Sequence, residues 1–157
     1  MSALAVGDKA PDFALPMTME DTWKLSDHLG VKNIVVLFFP LAYSPPCHDE
    51  MCSIRDGFSE FKGLDAHVVA ISVDNPFVLN KWKEELNLPF QLLSDFNREV
   101  SPAWGAFHEE LGPLKGVAKR AAFVLDKEGV VRYAWVSDDP GVMPDVGEIK
   151  AALDNLS

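Results

Sequence analysis

Four residues around the Cys47 thiol have the types and the spacing for chemistry. Cys47 is preceded by Ser44 and Pro40 and followed by Glu50 and Cys52. A thiolate attacks electrophilic oxygen or sulfur, a neighbouring hydroxyl can hold the molecule attacked, and a second thiol can close on the oxidised product. A cysteine in a chain that is 48% apolar is otherwise read as a small buried hydrophobe, which needs no hydroxyl at this offset. The local elements favour the reactive reading. Asn33 to Phe39 is almost wholly apolar, β-branched and aromatic, as suits a strand covered on both faces, and Pro40 stops it. Ser44 then occupies a helix N-cap, and Pro45 and Pro46 fall at the first two helical positions, where a missing N–H leaves no intrahelical bond unmade. Cys47 is therefore third in the helix. There the amides of Cys47 and His48, taken as unpaired, and the positive end of the helix dipole favour a thiolate.

Further elements must support that junction. Phe13 to Leu15 and Thr22 to Leu25 suggest an N-terminal β-hairpin around residues 17–21. A helix is expected from Pro45 to Phe61, closed by Gly63, then a strand from His67 to Val73 and a helix from Asn75-Pro76 to Leu86. A short strand at Gln91 to Leu93 and a helix from Arg98 to Trp104 follow. Arg120 to Leu125 and Val130 to Val136 flank Asp126-Lys-Glu-Gly129, a hairpin signal. Ile149, Ala152, Leu153 and Leu156 form one stripe of a terminal helix. Strand and helix alternating at this spacing argue for an α/β fold with parallel pairing and helices on both faces of the sheet.

Composition narrows the partners. The 157 residues suit one domain, 1–157, large enough for an ordinary core. A formal charge of −10 repels a phosphate backbone and an anionic membrane, so neither nucleic acid nor membrane is an expected partner. No run is long enough to span a bilayer, and Met1 to Asp8 lacks the basic start of a secretory signal. Two cysteines five apart, outside a secreted disulfide framework, point to redox use in a reducing compartment, and the expectation is cytoplasmic. Cys47, His48 and Cys52 are too few for a closed zinc site, and His28, His67 and His108 lie in unrelated contexts, so no metal and no cofactor is expected.

Pro40, Ser44 and Cys47 match a Pro-x-x-x-Ser/Thr-x-x-Cys motif, with Glu50 after it, and the chain resembles the peroxiredoxins, thiol peroxidases on a thioredoxin-like fold. The resemblance runs nearly end to end: Val6 to Phe13 is similar to the family's opening, Ile71 to Asp74 to its third core strand, and Lys119 to Asp126 to the strand carrying its arginine. Phe38 to Ala42 and Leu92 to Phe96 resemble the alkyl hydroperoxide reductase E branch, whereas the spacing of Cys47 and Cys52 resembles the bacterioferritin-comigratory branch. The resemblance implies a central mixed sheet flanked by helices, with an N-terminal β-hairpin.

It also implies roles. Cys47 would attack the peroxide, with the Ser44 hydroxyl, the Cys47 amide and the Arg120 guanidinium donating to it where charge develops. Arg120 would lower the thiol pKa, opposed by Asp49 and Glu50. Glu50 would orient an arginine, and Pro40 would cover the sulfur. Ser44 stands where threonine is commoner; its hydroxyl is less fixed at χ1 and capping the helix would compete for it. Phe39, Leu41 and Tyr43 suggest an apolar approach open to organic hydroperoxides, though core packing explains them equally. Cys52 is the candidate to resolve the Cys47 sulfenic acid. In an intact helix the two Cα atoms would lie roughly 8.7 Å apart against a disulfide limit of about 7 Å, so the helix must unwind locally. The implied partners are peroxide and thioredoxin or a similar thiol reductant, and the implied assembly a monomer or weak homodimer. Resolution by an external thiol, with Cys52 a packing residue, and a non-enzymatic redox sensor or adaptor are the competing readings. A disulfide oxidoreductase is disfavoured because Glu50 stands where Cys-x-x-Cys requires a cysteine.

Overall fold

Every residue of the apolar run Asn33–Phe38 is buried, and this run is the centre of the sheet. The computed structural model describes residues 4–57 and 66–156, and of Pro45, Pro46 and Cys47 the backbone alone. In chain order the elements are β1 (Ala14–Pro16), β2 (Thr22–Lys24), a 3-10 turn (Leu25–Asp27), β3 (Asn33–Phe38), α1 (Pro45–Asp56), β4 (Ala66–Ser72) and α2 (Pro76–Leu86). They continue with β5 (Gln91–Ser94), α3 (Val100–Ala103), β6 (Phe107–Leu111), β7 (Leu114–Ala118), β8 (Arg120–Leu125), β9 (Val131–Ser137) and α4 (Val146–Asp154).

Five strands form the main sheet in the order β5-β4-β3-β8-β9. β4 runs parallel to β3 and β5 parallel to β4, while β8 is antiparallel to β3 and β9 to β8. The sheet is therefore mixed, and β1 pairs with β2 as the N-terminal hairpin. The β8–β9 turn closes as its sequence predicts: Gly129 takes a φ of +84° and Asp126 Oδ1 accepts from the amides of Glu128 and Val130.

Alternation along the strands divides the core in two. Val35, Leu37, Ala122 and Val124 face one side, where Met51 and Ile54 of α1, Leu79, Trp82 and Leu86 of α2, and Ile149 and Leu153 of α4 cover them. Ile34, Val36, Phe38, Ala121, Phe123 and Leu125 face the other, under Phe13, Leu15, Trp23, Val100 and Trp104. The three longer helices thus share one face, and the opposite face is covered by the N-terminal hairpin, α3 and the segment around Trp104. Full burial of each such aliphatic or aromatic side chain contributes roughly 1.5–3 kcal/mol.

Helix ends follow local chemistry. Asn75 caps α2 by accepting from the Val78 amide at 3.0 Å, and Asp145 caps α4 by accepting from Glu148. α1 ends at Asp56 with Gly57 beyond it; the expected continuation to Phe61 and Gly63 lies outside the described residues. The expected helix at Arg98 to Trp104 shortens to Val100–Ala103 because Arg98 has a φ of +56°, which no α-helix accommodates.

Candidate active site

The sheet register determines which residues meet at the start of α1. Leu37 pairs with Ala122 and Phe38 with Ala121, so Arg120 comes level with the chain just beyond β3. Side chains alternate, and Arg120 lies two residues before Ala122, on the face that α1 covers. Arg120 is 1% exposed. Its Nη1 donates to Glu50 Oε2, while Nε and Nη2 donate to the Pro140 carbonyl at 3.0 and 2.9 Å. Pro140 follows β9, whose Ser137 pairs with Arg120, so the sheet's end supplies one anchor and α1 the other. A buried guanidinium needs such partners, since an unpaired charge there would be prohibitively unfavourable.

Glu50 projects from the second turn of α1 and is also 1% exposed. Burial pushes its carboxyl up from 4.5 to about 7, with Arg120 pulling the other way by charge and hydrogen bond. Burial prevails because only Oε2 is bonded; Oε1 is buried without a hydrogen-bond partner.

Pro40 is buried at the end of β3, and Leu41, Ala42 and Ser44 are half-buried. Ser44 holds the N-cap position, but its side chain makes no capping bond. Its Oγ lies 2.9 Å from the Leu41 carbonyl, an acceptor only, so the hydroxyl hydrogen points there. Two expectations change. The hydroxyl is held by Leu41 rather than competed for by the helix, and toward a ligand it offers lone pairs rather than a hydrogen. The His48 amide likewise is not unpaired: it donates to the Ser44 carbonyl at 2.9 Å as the first intrahelical bond, which leaves the Cys47 amide ahead of that bond. Backbone geometry puts Cys47 third in α1; expectations concerning its side chain lie outside the described residues.

The loop is braced from β4. Asp74 Oδ2 accepts from the Ala42 amide and from Ser72 Oγ, both at 2.7 Å, and the Asp74 carbonyl accepts from Ser94 Oγ at 2.6 Å. In the sequence Asp74 marks only the end of a strand; an acid two residues after a serine at a parallel strand end is the available signal. Tyr43 has a φ of +68°, an unfavourable conformation for a bulky residue, and its ring lies 5.8 Å from that of Trp82. Phe39 is fully buried and 5.5 Å from the same Trp82 ring, so it is core rather than approach. Leu41 and the half-exposed Tyr43 are left as the apolar rim.

Further along α1, Cys52 is a free, half-buried thiol packed against the edge of the core. Its Sγ lies 3.6 Å from Nε2 of the exposed His48, one helical turn earlier.

A mixed sheet that delivers a cysteine to the first turn of a helix, with a buried arginine held by a carboxylate of that same helix, defines a thioredoxin-like thiol oxidoreductase. Residues 6–134 match the AhpC/TSA family model. Alkyl hydroperoxide reductase E of Mycobacterium tuberculosis is 38% identical over 144 residues, covering 90% of this chain and 91% of that one. A chloroplastic 2-cysteine peroxiredoxin of Chattonella marina is 34% identical over 148 residues, covering 87% and 72%. Among solved structures, peroxidoxin BcpB of Mycobacterium tuberculosis superposes with a TM-score of 0.84 at 30% identity, covering 97% of each chain. The chain belongs to the AhpC/TSA family of peroxiredoxins, and its activity class is that of a thiol-dependent peroxidase. Peroxiredoxins act on peroxides and draw electrons from thioredoxin-like reductants. No described helix is long and apolar enough to cross a membrane.

Proposed function

We propose that this chain, acting as one domain in the cytoplasm and as a monomer or weak homodimer, reduces hydrogen peroxide and organic hydroperoxides through Cys47. The thiolate attacks the terminal peroxide oxygen, the O–O bond breaks, and the departing oxygen takes a proton to leave as water or alcohol while Cys47 becomes a sulfenic acid. Ser44 Oγ, its hydrogen committed to Leu41, accepts from the peroxide O–H. Arg120 and the Cys47 amide stabilise charge on the departing oxygen. Glu50 holds Arg120, and Pro40 shields the sulfur from bulk water. Leu41 and Tyr43 provide the surface that suits an organic substituent.

Cys52 then attacks the sulfenic sulfur to give a Cys47–Cys52 disulfide and water, and thioredoxin or a similar dithiol reduces it. The observation that carries the reading is the buried Arg120 on the α1 face, bonded to Glu50. Purified protein should consume peroxide catalytically with thioredoxin and its reductase, and Cys47→Ser should abolish turnover. Stoichiometric oxidation without turnover would instead mark an adaptor and defeat the proposal.

One observation favours a second reading, in which an external thiol resolves Cys47. α1 is unbroken from Pro45 to Asp56, so the cysteines sit on a continuous helix that separates them. Peptide mapping after one equivalent of peroxide decides: an intramolecular bridge supports Cys52, and a persistent sulfenic acid supports the external thiol.

A further inference from the structure

We propose that His48 is the acid–base residue of the resolving step, a role that rests on Cys52 being the resolving thiol. The two side chains lie one turn apart on α1 with Sγ and Nε2 at 3.6 Å, within hydrogen-bonding range for sulfur. A thiol is a weak donor, and in the tautomer protonated at Nδ1 the imidazole offers Nε2 as acceptor; in that tautomer the contact sets a thiol against a base. His48 is exposed, which gives it no packing role in the core. Cys52 needs a base because the attacking species is the thiolate, so its proton must go to an acceptor first.

The step balances without an outside reagent. Nε2 takes the Cys52 proton while the helix is intact, since the i, i+4 contact exists only in a helix. Once the first turns open, the Cys52 thiolate attacks the Cys47 sulfenic sulfur. The S–S bond forms, the S–O bond breaks, and His48, adjacent to Cys47 in the chain, returns its proton to the departing hydroxide as water. Cys47 sulfur is reduced, Cys52 sulfur is oxidised, and the imidazole ends as it began.

The test follows the sulfenic acid in the full chain. After one equivalent of hydrogen peroxide, samples are quenched over time with dimedone and the Cys47–Cys52 bridge is quantified by peptide mass. In His48→Ala the sulfenic acid should persist roughly 10-fold to 100-fold longer than in the unaltered chain, and added imidazole should shorten that lifetime. His48→Gln, which keeps the bulk without the base, should behave like His48→Ala and stands in if the alanine variant folds poorly. In a Cys52→Ser background, removing His48 should leave the lifetime unchanged. Equal lifetimes with and without His48 overturn the proposal while leaving Cys52 as the resolving thiol. A lengthened lifetime that imidazole does not shorten marks a packing role and overturns it too. An unaltered chain that forms no bridge defeats the Cys52 assignment and this inference together.

Discussion

Arg120 and Glu50 stand 70 residues apart in sequence and share a buried hydrogen bond, so each depends on the other as a partner. Spacing alone could not bring them together; a strand arginine reads as an edge charge until the register of β8 on β3 is known. Ser44, by contrast, was legible in position but not in orientation, because which acceptor takes its hydrogen depends on how the chain turns at Leu41. Ser44→Ala should lower kcat/KM for peroxide by roughly 100-fold, and Ser44→Thr should keep it within a few-fold, as the loss of one oriented polar group in a desolvated site predicts. Steady-state kinetics with thioredoxin would check this, and an alanine variant of unaltered kcat/KM would remove Ser44 from the chemistry. Glu50 makes a separate prediction for stability. Its folded-state pKa is raised to about 7, so between pH 4.5 and 7 the folded chain holds a proton that the unfolded chain has released. Its contribution is therefore full below about pH 4.5 and is lost as pH rises through 7. Urea unfolding at several pH values should show a downward slope with pH over that window that is absent in Glu50→Gln; a slope identical in both proteins would assign it to other groups.

At the level of elements, what the sequence revealed depended on how deeply each was buried. β3 and α4 were readable because burial imposes a pattern: an almost wholly apolar run in one, a stripe of Ile149, Ala152, Leu153 and Leu156 along and just beyond the other, of which Ile149 and Leu153 are fully buried. β6 and β7 were missed. They pair as an antiparallel hairpin, but β6 reads Phe-His-Glu-Glu-Leu with no residue fully buried, so no alternation marks it. Tertiary support was hidden as well. Asp74 ties the active-site loop to β4 and β5 through bonds to Ala42, Ser72 and Ser94, and no local pattern announces such a brace. Asp74→Ala leaves the Ala42 amide and the Ser72 hydroxyl without their acceptor, at a cost of about 1–3 kcal/mol each where they stay dry. The loop that carries Ser44 and leads into α1 should loosen with it. We expect a lowered Tm together with kcat/KM for peroxide reduced roughly 10-fold or more, because misplacing reacting groups slows a step that depends on orientation. Differential scanning calorimetry beside kinetics separates the two effects; a lowered Tm with undiminished kcat/KM would confine Asp74 to stability.

For the whole molecule, the two faces of the sheet divide the work. The face under the N-terminal hairpin carries Phe38, Trp104 and Phe123 in mutual ring contacts and no described residue of the candidate site, so it can stay rigid through a catalytic cycle. The other face holds α1, which must be ordered for Arg120 and Glu50 to meet and which, under the proposal that Cys52 resolves Cys47, must open for the two sulfurs to bond. These demands conflict within one helix: its first turn carries the exposed His48, whereas Met51 and Ile54 further along are anchored in the core and the half-buried Cys52 packs against that core. Oxidation should therefore free the start of α1 without disturbing β3 or β8. In hydrogen exchange followed by mass spectrometry, peptides covering residues 47–56 should exchange markedly faster in the peroxide-treated chain, while those covering 33–38 and 120–125 keep their protection. Trp82 supplies an optical counterpart, since Tyr43 lies against its ring just before α1 begins, and its fluorescence should change at the rate of bridge formation. Equal protection of residues 47–56 in the reduced chain and in a fully bridged one would mean that the bond forms without unwinding, contrary to the distance that an intact helix imposes between residues five apart.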